Sequence, residues 1–384
     1  MTHVRKGRAR WIVAALAALM VLGGVAAPAG ANGGDSVTVM TRNVYLGGDI
    51  TRPLTAIQGL PPEQQGPAFV AANTTLRAIV DQTNFPLRSQ RLAREIATLK
   101  PDLVGLQEVA LWRSGPLDGR PATTVDYDFL QSLLDDLAAL GEPYDVVHVQ
   151  QESDVSGPAV RGAAGLQNIR LTMRDVALKR AGSGVRVLAS GGGNYAARIP
   201  LVVAGQPLSF IRGYNWADVR VGSKEFRFIN THLESQLSDV AYAQAAELLS
   251  GAAAPARKPV VLVCDCNSDP LDASRKPGER YAHQDPYLLI TRTGGFADAW
   301  LRFAPASLGF TSGLSELVND TPAQALAAFD HRIDMVFGRD ADGSSLPVDW
   351  GWVTGRNPLN RTPATPIGRL WPSDHAGVVI NLRP

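Results

Sequence analysis

WPSDHAGVVINL, Trp371 to Leu382, sets Ser373, Asp374 and His375 directly before an apolar run near the end of the chain. Val378, Val379, Ile380 and Leu382, bounded by Pro372 and Gly377, predict a short buried strand. A strand that opens on an acid and an imidazole has two readings. The ordinary one is a solvated loop that caps the strand, and it suffices for an isolated pair. The other is a strand that delivers two reactive groups to a site, which requires partners upstream.

Strand-like runs recur upstream, at Val37 to Leu46, Asp102 to Glu108, Tyr144 to Gln150, Arg174 to Lys179, Phe210 to Val221, Glu225 to His232, Pro259 to Cys264 and Arg332 to Phe337. Ser89 to Leu99, Asp128 to Leu140 and Ser238 to Leu249 repeat apolar residues every three or four positions, the helical period. Val221-Gly222-Ser223-Lys224 reads as a hairpin. Strands and helices in irregular order predict an α/β fold of mixed layers and exclude a strictly alternating barrel. Thr51 to Pro86, rich in Pro, Gln and Ala, and the Gly-rich stretch Ser153 to Gly165, predicted as a surface loop, look like insertions. Gly191 to Gly193 reads as a flexible turn.

Polar residues stand at the ends of these runs. Asn43 ends the first, Gln107 and Glu108 end PDLVGLQE, Asn230 and His232 end FRFINTHLE, and Asp265 and Asn267 end VVLVCDCNSDP; Asp334 lies within HRIDMVF. Singly, each has a structural explanation: a turn, a solvated strand end, a satisfied core histidine, a helix cap, a salt bridge from Asp334 to Arg332. Their joint placement at strand termini points instead to one convergent site.

Arg5, Lys6, Arg8 and Arg10 precede an apolar run from Trp11 to Ala27 and the A-x-A sequence Ala29-Gly30-Ala31. This predicts a secretory signal peptide over residues 1–31 and a mature domain over 32–384, without a transmembrane segment after cleavage. Cleavage removes four of the 37 basic residues and none of the 36 acidic ones, for a net charge of −3. That balance carries no general affinity for polyanions. Two cysteines, Cys264 and Cys266, alternate with Asp265 in an apolar run. Strand geometry at that spacing holds the sulfurs apart, so both are expected as unbridged packing residues.

Together the motifs QE, NTHLE, D-x-N-S, RID and SDH resemble the endonuclease/exonuclease/phosphatase superfamily, over Val37 to Leu382. The resemblance implies a four-layered α/β sandwich, two mixed β-sheets face to face with helices outside. It implies a metal site at Asn43, Glu108 and Asp374, with Glu108 the chief ligand. It places Asp265 and Asn267 with the attacking water and phosphate, His232 beside them, and Asp334, Asp374 and His375 in the base cluster. Arg212-Gly213 resembles a family strand motif. Two departures stand out: Cys264 and Cys266 replace the usual Gly and Phe around Asp265, and Tyr45 stands where the abasic-site repair branch has an acid.

Phosphodiesters are anions that repel hydroxide, so hydrolysis needs a hard cation on oxygen ligands and a base near the water. Mg²⁺ suits that donor set, with Mn²⁺ or Ca²⁺ as substitutes. His375 held by Asp334 is the expected base and Asp265 its alternative; His232 either donates a proton to the leaving oxygen or stabilises the pentacovalent state. The expectation is a secreted, monomeric, metal-dependent phosphoesterase, an extracellular nuclease or related phosphodiesterase. The alternative is a sphingomyelinase-like hydrolase of phospholipid headgroups. From another class, a noncatalytic binding module on the same fold would be expected to have lost Glu108, Asp265, Asn267 or His375, and all four are present.

Overall fold

Alternation along the strands gives each sheet two apolar faces, and covering both faces of both sheets produces the layers. The computed structural model describes residues 35–203, 206–254 and 258–384. The expected leader lies outside the described residues.

In chain order the strands are β1 (Val37–Asn43), β2 (Leu103–Gln107), β3 (Leu111–Gly115), β4 (Thr124–Asp128), β5 (Tyr144–Val160) and β6 (Leu166–Arg180). Then come β7 (Val185–Asn194), β8 (Ile199–Val203), β9 (Gln206–Phe210), β10 (Gly213–Val221), β11 (Lys224–His232) and β12 (Val260–Asp265). The last are β13 (Ala297–Asp298), β14 (Asp334–Arg339), β15 (Val348–Thr354), β16 (Ala364–Thr365), β17 (Gly368–Arg369) and β18 (Gly377–Leu382). The principal helices are α1 (Arg52–Ile57), α2 (Pro62–Gln82), α3 (Phe85–Leu99), α4 (Phe129–Ala139) and α5 (Ser238–Ser250).

One sheet runs β15-β18-β1-β2-β6-β3-β4, with β5 also on β6; the other runs β13-β14-β12-β11-β10-β7. Both are mixed, since β1 with β2 and β11 with β12 are parallel pairs among antiparallel ones. Val37, Val39 and Leu103 of the first sheet meet Phe226, Phe228, Val261 and Val263 of the second in a common core. The opposite parity, Met40, Val104 and Leu106, packs against Leu92 and Ile96 of α3 and Leu133 and Leu137 of α4. On the far side Val260, Leu262 and Cys264 pack against Ala241, Ala245 and Leu248 of α5. The order is helix, sheet, sheet, helix, the predicted four-layered α/β sandwich. Gly105 marks a close approach of the sheets: a Cβ there would meet Val263 Cγ2 at 2.4 Å and Asn230 Oδ1 at 2.6 Å.

Two local expectations are corrected. Ser153 to Gly165 is not a surface loop: β5 continues to Val160, which pairs with Leu166, and a short 3₁₀ turn at Gly162–Ala164 closes the hairpin. Its polar residues find cross-strand partners, as Arg170 does with Asp154, so pairing overrides weak strand propensity. Gly191 to Gly193 is no turn either. It lies within β7 opposite Tyr214 to Trp216, and a Cβ on Gly192 would meet Gln150 Oε1 at 2.3 Å. Thr51 to Pro86 folds largely into α1 and α2, each with a proline in its first turn, where no amide hydrogen is needed.

Candidate active site

The residues of the inter-sheet face become polar where the strands end. Val37 and Val39 are followed on the same face by Thr41 and Asn43, Leu103 by Gly105 and Gln107, Phe226 and Phe228 by Asn230 and His232, and Val261 and Val263 by Asp265. A buried polar tier comes first. Gln107 Nε2 donates to Asn230 Oδ1 at 2.6 Å, and Asn230 Nδ2 donates to the Leu106 carbonyl at 3.1 Å. Above it stand the candidate reactive groups.

His375 Nδ1 lies 2.9 Å from Asp334 Oδ2 and 3.8 Å from Asp265 Oδ2. Asp265 Oδ2 accepts from Asn43 Nδ2 at 2.9 Å and lies 3.5 Å from His232 Nε2, while Asp265 Oδ1 accepts the Asn267 amide at 3.1 Å. Asn267 Nδ2 donates to the Leu233 carbonyl, which fixes its side chain at the same corner. Arg332 pairs with Asp298 and not with Asp334, so the structural explanation for Asp334 does not hold. The oxygens of Asp265 and Asp334 and a nitrogen of His375 lie within 4.8 Å of one another, and all three residues are buried.

These partners settle the proton positions. Arg212 NH1 stands 2.9 Å from His232 Nδ1; a guanidinium only donates, so His232 carries its hydrogen on Nε2, toward Asp265. Burial, then Arg212 and His375, hold His232 well below the ordinary imidazole range, so the ring is neutral at neutral pH. His375 moves the opposite way. Burial opposes its charge, but Asp334, Asp265 and Asp374 outweigh burial and raise it well above that range. Burial pushes Asp265 up to about 7, with Asp334 adding to the shift and His375 opposing it.

Two further acids open to a cavity of about 320 Å³: Glu108 and Asp374 line its wall with Tyr45 and Arg212. Glu108 Oε2 accepts the Leu46 amide at 2.8 Å, and burial pushes Asp374 up to about 6, with Glu108 adding to that shift. Tyr45, Glu108 and Asn267 adopt left-handed backbone, φ 62°, 59° and 44°. Non-glycine residues reach that region at a cost, and three of them bend the chain where strands meet the site. Two carboxylates facing one cavity suit a hard divalent cation on charge and donor type. Asn43 Oδ1 already accepts the Tyr45 amide at 2.8 Å, so Asn43 offers a cation only a second lone pair.

The cysteines are not free. Cys264 and Cys266 form a disulfide across Asp265, contrary to the expectation from strand geometry. β12 ends at Asp265, and the two Cα atoms stand 5.1 Å apart, within bridging range. Both remain buried among the residues under α5, so the packing role holds alongside the bridge.

Sequence reasoning missed Glu152 and Asp175, whose buried carboxylates have no hydrogen-bond partner. Burial raises both, Glu152 to about 7, and Arg212 acts against the shift in each. Asp175 lies mid-strand in β6, and Glu152 in β5 between the run read as a strand and the stretch read as a loop, so neither carried the strand-end signal. Arg212 was noticed only as part of a motif.

No protein-family model matches the chain, and no curated protein matches it. Among solved structures, an endonuclease/exonuclease/phosphatase family protein from Bacteroides thetaiotaomicron is similar with TM-score 0.51 and 16% identity, over 90% of this chain and 97% of that one. A protein of the same family description from Leptotrichia buccalis is similar with TM-score 0.50 and 14% identity, over 91% of this chain and all of that one (100%). At such identities the likeness is one of architecture: this chain has the endonuclease/exonuclease/phosphatase fold.

Proposed function

We propose that the protein is an exported, divalent-metal-dependent phosphoesterase that hydrolyses a phosphodiester. The observation that carries the reading is the convergence of Asn43, His232, Asp265, Asn267, Asp334 and His375 from both sheets beside a cavity walled by Glu108 and Asp374. A disulfide supports export, since such bonds persist mainly in oxidising compartments.

A cation held by Glu108 and Asp374, with Asn43 beside them, would neutralise charge on a nonbridging phosphate oxygen and on the leaving oxygen. His375 donates Nδ1–H to Asp334, which leaves Nε2, 4.0 Å from Asp374, as the atom that exchanges a proton with water. Asp265, fixed by Asn43 and the Asn267 amide, orients that water. His232 and Arg212 act as a donor pair toward the phosphate. As a neutral ring, His232 stabilises developing charge and does not supply the proton to the leaving group.

The test is release of product from bis-p-nitrophenyl phosphate, plasmid DNA, RNA and sphingomyelin in parallel, with Mg²⁺ and with EDTA. Mg²⁺-dependent turnover of at least one is expected. Absence of turnover on all four, with a folded protein, would favour the binding-module alternative.

A further inference from the structure

Beyond the site lies a second cavity of about 260 Å³, and the two share Ile50 and Phe210 as a common wall. Its far side is built by the 51–86 insertion, through Leu54 of α1 and Phe69 and Leu76 of α2, against Trp112, Ile169 and Leu171 of the first sheet. The insertion is seated there by Thr74 Oγ1, which accepts the Val160 amide of β5 at 2.9 Å.

The polar groups around this cavity are partly spent. Trp112 Nε1 donates to the Leu46 carbonyl at 2.9 Å, so the indole presents ring carbon. Arg77 is paired with Asp81 at 2.7 Å and its guanidinium lies over Tyr127. Asn73 Nδ2 and Arg77 Nε and NH1 are buried without a hydrogen-bond partner. Unpaired donors on two residues in an otherwise apolar chamber match a hydrocarbon arm that carries carbonyl oxygen.

Charge points the same way. Asp49, Glu108, Glu234, Glu316 and Asp374 line the first cavity with Arg212 the single cation, so its described lining offers no basic track for further phosphates of a polyanion. We propose that the second cavity binds an alkyl or acyl arm of the substrate, which makes the natural substrate a phospholipid-type phosphodiester. This rests on the phosphodiesterase reading above and narrows it.

The test uses the full protein with Mg²⁺ and p-nitrophenyl alkyl phosphodiesters bearing methyl, butyl and octyl groups. The octyl-to-methyl ratio of kcat/KM is expected to exceed about tenfold in the wild type, the scale of a few buried methylenes, and to fall toward unity in Leu54→Gln and Phe69→Gln. Calorimetric binding of octyl phosphate against methyl phosphate reads the cavity without turnover, and thermal melting checks the fold of each variant. Tighter octyl binding that both variants lose, with no hydrolysis of any ester, would keep the cavity assignment and reject the phosphodiesterase reading. Equal binding of the two phosphates by the wild type overturns the proposal. So does a preference that survives both substitutions, or thymidine 5′-(p-nitrophenyl phosphate) being the one ester whose turnover they reduce.

Discussion

His375 Nδ1 and Asp334 Oδ2 meet at 2.9 Å although 41 residues separate them in the chain, and both side chains are buried. The pair spans the two sheets, with Asp334 at the start of β14 and His375 just before β18. If the carboxylate acts only by holding and polarising the ring, the two work as one unit. His375→Ala and Asp334→Ala should each lower kcat by ~10² or more, and the double variant should be little worse than either single. Additive losses in the double-mutant cycle would break the pairing.

Neutrality of His232 gives a separate expectation. A ring that hydrogen-bonds to the phosphate without giving up a proton is indifferent to the leaving group. His232→Ala should therefore reduce kcat/KM by the same factor for p-nitrophenolate and alkoxide leaving groups. A loss confined to alkoxide substrates would restore the proton-donor role.

The buried acids make stability depend on pH in a definite direction. Burial raises Glu152 and Asp265 to about 7, Asp374 to about 6 and Asp175 well above its ordinary value, and three carboxylates raise His375 against burial. Each group binds its proton more tightly folded than unfolded, so this stability is present at low pH and lost as pH rises through the folded values. His232 is lowered and acts oppositely, but its contribution is complete by its unfolded value of 6.5. The Tm of metal-free protein should fall between about pH 6.5 and 8, and Mg²⁺ should raise Tm more at the upper end. A metal-free Tm that climbs across this window contradicts the placement of these acids.

The disulfide ties the residues on either side of Asp265. A loop this short gains little from chain entropy, roughly 1.5 kcal/mol, so its chief effect is on where Asp265 stands. Replacing both cysteines with serine should lower kcat several-fold with only a modest loss of Tm. Unchanged kcat would leave the bridge a structural detail.

Much of this was legible in the sequence because strand parity carries the information. Asn43, Gln107, His232 and Asp265 continue the inward-facing series of their strands, so apolar alternation that ends in a polar residue locates the site before any coordinates. Long-range pairing was not legible. The strand character of Ser153 to Val160 comes from β6, and that of Gly191 to Gly193 from β10 and from side chains of β5 that need the missing Cβ space. The Cys264–Cys266 bridge depended on the chain leaving extended geometry where β12 ends at Asp265, which residue types do not announce. Glu152 and Asp175 lacked a signal because each is an ordinary acid within a strand.

Metal dependence at Glu108 tests the central claim most directly. Hydrolysis of bis-p-nitrophenyl phosphate is to be followed in EDTA and across a Mg²⁺ titration, for wild type and Glu108→Gln, with melting curves to confirm the fold. The account predicts no wild-type turnover in EDTA, recovery with Mg²⁺, and a Glu108→Gln rate lower by ~10² or more even at saturating Mg²⁺. Full wild-type turnover in EDTA, or a Glu108→Gln enzyme as active as wild type at low Mg²⁺, would contradict it.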